Sequence, residues 1–180
     1  MKKLALTDFA KYRYPSALEL SPDGRYLTFA LKDVDREGDG YRWNLWLYDL
    51  ERRESRQITR GDDQRKAVWE DNTHILYKTT EPDEAMRARG FEEEWTVYHR
   101  LNVCTGEERE AFRLPMSVSG LWKMDEGRYV FTGETHLDRP NLLELTGEAL
   151  EKELVRRQQT RGYKVLTELP LCENGVGMFN

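Results

Sequence analysis

"SPDGRYLTFA" runs from Ser21 to Ala30, and its reading decides the fold. Pro22 presets φ at the second position of a tight turn, and Gly24 at the fourth suits a type I turn. The run from Arg25 to Leu31 is rich in aromatic and apolar residues and predicts a strand. Before the turn, "SALEL" (16–20) alternates and predicts a partner strand. After the polar loop "KDVDREGDG" (32–40) comes "RWNLWLYDL" (42–50). Its alternation places Trp43, Leu45, Leu47 and Asp49 on one face, and Asn44, Trp46, Tyr48 and Leu50 on the other. "ERRE" is a charged turn, and "SRQIT" (55–59) is a fourth strand. Strands joined in this order form a four-stranded antiparallel meander.

The order then repeats. "RKAVWE" (65–70), "DNTHILYKTT" (71–80), "EWTVYHRLNV" (94–103) and "REAFRL" (109–114) correspond to the four strands. A third start is visible in "SVSGLWK" (117–123) and "DEGRYVFTG" (125–133). The turn positions Gly24, Asn72 and Gly127 are 48 and 55 residues apart. Blades of a β-propeller run ~40–50 residues with four strands each. Asn72 in place of glycine predicts a left-handed residue at the second turn, which Asn tolerates.

The expected fold class is therefore all-β, with about three blades of an incomplete β-propeller and a short helical insertion. The expected boundaries are blade 1 at about 14–60, blade 2 at about 65–114 and blade 3 from about 117, incomplete at 180. The insertion is expected at about 147–160. There "GEALEKELVRRQQ" sets Leu150 four residues before Leu154, and Glu153 four before Arg157. Leu6 to Tyr12 predicts one or two helical turns capped by Thr7 or Asp8. "YKVL" (163–166) is strand-like. Three blades consume the chain, whereas a closed propeller needs at least four, so no ring closes from this chain alone.

Composition narrows the function. The net charge of −5 provides no basic field, so no nucleic-acid partner is expected. No apolar run approaches the ~18 residues of a membrane helix, so no membrane partner is expected either. Asp8 and Lys11 interrupt any signal-peptide core in "MKKLALTDFAKYRYPS", and a cytoplasmic location is expected. Cys104 and Cys172 match no metal spacing and are expected to be free thiols.

The Ser-Pro-Asp-Gly-Arg turn, the "NLWLYDL" strand and "SRQIT" together resemble the propeller repeats of the prolyl oligopeptidase superfamily, especially its acylaminoacyl-peptidase-like branch. "LTDFAKYRYPSALELSPDGRYLTFAL" is similar to the family's N-terminal helix leading into blade one. "ELPLCENGVGMFN" (168–180) is similar to a family stretch of the form Glu-Leu-Pro-aromatic, then Asn-Gly-x-Gly-aromatic. Leu171 and Met178 stand where an aromatic is usual. The resemblance runs from about Leu6 to Met178. It implies a propeller that gates peptide access to an α/β-hydrolase domain carrying a Ser-Asp-His triad, with the nucleophile in Gly-x-Ser-x-Gly. That pattern is absent from this sequence: Ser119-Gly120 is preceded two residues earlier by Ser117, not Gly. The expected function is the non-catalytic propeller portion of a serine peptidase, its peptide substrate reached through a hydrolase domain absent from this chain. The alternative is a stand-alone propeller-type module that binds a protein or peptide without chemistry. A periplasmic Tol-type propeller is a third reading, disfavoured by the missing signal sequence. No peptidase activity is expected of the 180 residues by themselves.

No catalytic, cofactor-binding or metal-ligating residue is assigned, and no cofactor is expected. His74, His99 and His136 lack short ligand spacing and are expected to be structural. Asp83, Glu84 and Glu92 to Glu94 form an acidic loop, read as solvated. The functional reading of that loop is a surface for a basic peptide or a free amino terminus. Asp62, Asp63, Arg65 and Lys66 form a mixed-charge connection between blades. Asp23 lacks the later ligands of a calcium loop, and "GVG" (175–177) is too short for a nucleotide fingerprint. Trp46, Tyr48, Trp69, Tyr77, Trp95, Tyr98 and Trp122 recur at strand positions and are expected to pack between blades. An incomplete ring also predicts self-association through its open edges.

Overall fold

Ser21, Asp23 and Gly24 close the first turn with their own hydrogen bonds. The Gly24 amide donates to the Ser21 carbonyl at 2.9 Å, and Gly24 takes φ +73°. The Asp23 carboxylate accepts from the Ser21 hydroxyl at 2.6 Å and from the Arg25 amide at 3.1 Å. These two bonds, the hydroxyl's foremost, hold the Asp23 carboxyl below its ordinary range. The computed structural model describes residues 11–35, 40–125, 127–134 and 140–159, and the backbone of 171–172 and 178–179. Most of the expected Leu6–Tyr12 turn, the "YKVL" strand and "GVG" lie outside the described residues.

Around this turn, β1 (Tyr14–Leu20), β2 (Tyr26–Asp35), β3 (Gly40–Asp49) and β4 (Glu54–Gln57) form a four-stranded antiparallel sheet in sequence order. A second sheet repeats the arrangement with β5 (Ala67–Trp69), β6 (His74–Pro82), β7 (Glu94–Asn102) and β8 (Glu108–Leu114). A third begins as the hairpin of β9 (Ser117–Asp125) and β10 (Arg128–Glu134). The described residues thus form two complete propeller blades and the first hairpin of a third, with no closed sheet. The Met1–Asn141 part is one compact unit and Leu142–Asn180 another.

The second turn corrects one expectation. Asn72 is not left-handed. The Asp71 carboxylate holds the turn instead, accepting from the amides of Thr73 at 2.7 Å and His74 at 2.8 Å. A side-chain acceptor that closes the turn locally removes the need for positive φ. The third strands also end alike. Asp49 accepts from the amides of Glu51 and Arg52, and Asn102 from those of Cys104 and Thr105.

Blades bury both sheet faces, and alternation decides which side chains go where. Ala30, Leu45 and Leu47 of the first blade pack on Ala67, Trp69, Ile75, Tyr77, Leu101 and Val103 around the second. On the other face of the second blade, Leu76 and Tyr98 pack on Val118 and Leu121 of β9. Leu45, Ile75 and Leu76 are fully buried. Burial of such a side chain stabilises by about 1.5–3 kcal/mol. Polar hooks cross the same interfaces. Trp69 Nε1 donates to the Glu19 carbonyl at 3.1 Å, and the Arg56 guanidinium donates to the Val103 carbonyl. Lys78 donates to the Val118 carbonyl, and the Thr96 hydroxyl to the Met116 carbonyl at 2.6 Å.

The acidic 83–94 connection contains a short helix, α1 (Glu84–Ala88), that was not expected. Asp83 is its N-cap, accepting from the Met86 amide at 2.9 Å and from Trp95 Nε1 at 2.8 Å. The second unit, taken by itself, contains a 3₁₀ turn (Leu142–Glu144), helix α2 (Gly147–Gln159) and the short pair β11 (Leu171–Cys172) and β12 (Met178–Phe179). In α2, Leu154 is buried, and Glu153 accepts from both Arg156 and Arg157.

Candidate functional site

The interface between the first two blades opens into a cleft of about 610 Å³. One wall is the end of β4 and the connection that follows it, with Arg56, Gln57 and Arg60. The other is the second blade, with Tyr77, Thr79, His99 and Glu108. The period of two brings these residues together. Tyr77 and Thr79 lie two apart on β6, and His99 sits opposite Tyr77 on β7.

His99 is the centre of the array. Its Nε2 lies 2.9 Å from the Thr79 hydroxyl, and its Nδ1 lies 3.5 Å from the Glu108 carboxylate. The ring stacks on Tyr77 at 5.3 Å between centroids. Burial, followed by the Glu108 carboxylate, raises the Tyr77 phenol far above its ordinary range. The Thr79 hydroxyl and the Glu108 carboxylate thus stand at the two ring nitrogens of His99. The 3.5 Å separation exceeds ordinary hydrogen-bond length. The cleft offers cationic donors from one wall, Arg56 and Arg60, and carboxylate acceptors from the other, Glu81 and Glu108.

A second cleft, of about 460 Å³, lies where Arg25, Arg52 and Arg56 converge near Asp49 and Cys104. Arg56 lines both clefts. Cys104 is a free, exposed thiol whose Sγ lies 3.8 Å from the Tyr26 hydroxyl. The side chain of Cys172 lies outside the described residues.

The other singled-out residues have local tasks. His74 is fixed by Asp71 at 2.9 Å and by Asn102 at 3.2 Å. The Asp71 carboxyl is held down to about 2. Burial alone would raise it, but the Thr73 and His74 amides and the His74 ring more than reverse this. Asp62 accepts from Asn44 at 2.9 Å, Arg65 pairs with Asp63 at 2.7 Å, and Lys66 pairs with Glu19 at 3.7 Å. The Ser119 hydroxyl meets Thr132 at 2.9 Å. His136 lies outside the described residues, and no cluster of three metal-ligating side chains occurs among those described. Trp69, Tyr77 and Tyr98 are buried between blades. Trp122 departs from the expectation: it is 47% exposed, its ring laid over Gly120. Thr79 and Glu108 were not singled out from the sequence. Alternation alone would have grouped Tyr77 with Thr79, but Glu108 joins them only through cross-strand register.

No helix among the described residues is long and apolar enough to cross a membrane. No protein-family model and no curated protein matches the chain. Among solved structures, it is similar to the β-propeller domain of the Trilobed protease from Pyrococcus furiosus, at 14% identity over 64% of this chain with a TM-score of 0.47. It is also similar to the acylaminoacyl peptidase of Pyrococcus horikoshii, at 13% identity over 63% of this chain with a TM-score of 0.47. The matched part spans 32% of the first structure's length and 16% of the second's.

Proposed function

We propose that this chain is the propeller portion of a cytoplasmic serine peptidase of the prolyl oligopeptidase superfamily, in its acylaminoacyl-peptidase-like branch. Its role in that reading is to gate the approach of short peptides to an α/β-hydrolase domain. The observation that carries the reading is the coincidence of motif and element. The Ser-Pro-Asp-Gly-Arg turn starts β2, the Asn44–Asp49 segment forms the end of β3, and Ser55–Gln57 falls in β4 of one blade. The polar clefts between blades supply surfaces on which a peptide would pause. A second copy of the chain would suit the free face of the third sheet, where Trp122 and Val130 stand half exposed.

The test is immunoprecipitation from native cells with an antibody against the first blade, followed by labelling with a serine-directed fluorophosphonate. A labelled polypeptide that contains or accompanies this chain, and that cleaves short peptides but not folded proteins, is expected. Recovery of the chain with no fluorophosphonate-reactive species would overturn the reading and leave the interaction module.

A further inference from the structure

Strands β7 and β8 set Arg100 directly opposite Arg109. Like charges facing each other across a ladder are destabilising unless a counter-charge is near. Arg100 has one: Glu70 accepts from its Nε and from Nη2, the latter at 2.6 Å. Arg109 is exposed and has no carboxylate partner among the described residues. It lines a cleft of about 330 Å³ between the second blade and the third sheet, together with Arg100, Lys123 and Tyr129.

Among the described residues, the donors in this cleft outnumber the free acceptors. The Glu70 carboxylate is occupied by Arg100 and by the Tyr129 hydroxyl. The Asp71 carboxylate is occupied by Thr73 and His74. Lys123, which lines the cleft, gives one N–H to the Glu70 carbonyl, and its other two have no partner among the described residues. Arg109 brings a whole guanidinium fork.

We propose that this cleft binds a small oxyanion, a carboxylate or phosphate group, held by Arg109 and Lys123. A planar fork beside a point charge is the arrangement that grips two oxygens of such a group. The bound anion supplies to Arg109 the counter-charge that Arg100 already has in Glu70. The site lies on the opposite face of the second blade from the His99 cleft and does not depend on the peptidase reading.

The test is calorimetric titration of the 180-residue chain with inorganic phosphate and, separately, with acetyl-trialanine as its free acid and as its amide. Saturable binding of phosphate, of the free acid or of both is expected, with none for the amide. Which of the two binds identifies the source of the oxyanion. Arg109→Gln should weaken that binding about tenfold or more while the far-UV circular dichroism is unchanged, because Arg109 is exposed on an edge strand. Lys123→Gln should weaken it as well, and rising salt should weaken it in the wild type. Absence of binding by both anions, or equal binding by wild type and Arg109→Gln, would overturn the proposal.

Discussion

Gly-Arg-Tyr occurs at 24–26 and again at 127–129, and the two copies do opposite things. Both glycines are left-handed, at φ +73° and +74°. Both tyrosines end on the second blade, but they arrive from opposite sides. Tyr26 reaches forward from the first blade and stacks near Trp69 at 6.5 Å. Tyr129 reaches back from the third sheet and donates its hydroxyl to Glu70. The difference is one residue. In the third sheet Arg128 pairs with Asp125 but Tyr129 pairs with Lys123, so Met124 is bulged. Without the bulge Tyr129 would share a face with Met124 and Trp122, pointing away from the second blade. Identical local sequence therefore fixes the turn and leaves the facing to the partner strand.

The sharpest way to break this comparison is to delete Met124. The residue is 65% exposed, so its loss removes little burial. The deletion should still cost about 3 kcal/mol or more, because Tyr129 leaves its pocket and Glu70 loses a donor. Met124→Ser should stay within about 0.5 kcal/mol. Chemical denaturation midpoints read both, and an unchanged midpoint for the deletion would show that the bulge does not set the facing.

Removing one oxygen from each tyrosine separates the two contacts. Tyr129→Phe should cost about 1.5–3 kcal/mol, the range for a hydrogen bond to a charged group. Tyr26→Phe should cost about 0.5 kcal/mol or less, since that hydroxyl meets only an exposed thiol at 3.8 Å. Equal costs would mean that the tyrosines are interchangeable packing groups.

What the two copies share is tested at the glycines. Gly24→Val and Gly127→Val should each cost about 1–2 kcal/mol through positive φ alone. A Cβ at Gly127 would meet nothing within 4 Å, and one at Gly24 only Leu20 at 3.9 Å. Loss at one site without the other would show that the turns differ in more than facing.

The smallest effect is in acid. Burial pushes the Glu70 carboxyl up, and the Arg100 and Tyr129 hydrogen bonds bring it below its ordinary value. Asp71 is held to about 2. A carboxyl depressed in the folded state stabilises above its unfolded pKa, and that contribution fades as pH falls through the folded pKa. Stability should therefore decline from about pH 4 toward 2, and Asp71→Asn should flatten the decline. An identical acid limb in wild type and variant would refute the assignment.

The strand order of both blades was legible in the sequence because alternation and turn residues are local signals. Trp43, Leu45, Leu47 and Asp49 read correctly as one face. The Asp71 turn was misread because a carboxylate can replace left-handed φ, and dipeptide identity does not say which is used. Helix α1 was missed although Asp83 and Glu84 open it with a capping signal, since five residues give no helical period. The clefts were the least legible. Thr79, His99 and Glu108 lie on three strands, Arg100 and Arg109 on two, and only register brings them together.

Strand β5 has only three residues, yet Trp69 and the Glu70 that follows it serve the two interfaces in turn. One anchors to the Glu19 carbonyl and the other takes Arg100 and Tyr129. A slip of β5 by one position would present a carboxylate to the apolar side and an indole to the guanidinium side, spoiling both interfaces at once. The register of the shortest ladder strand of the two blades is thereby fixed from both sides, because a one-residue slip would penalise two interfaces together.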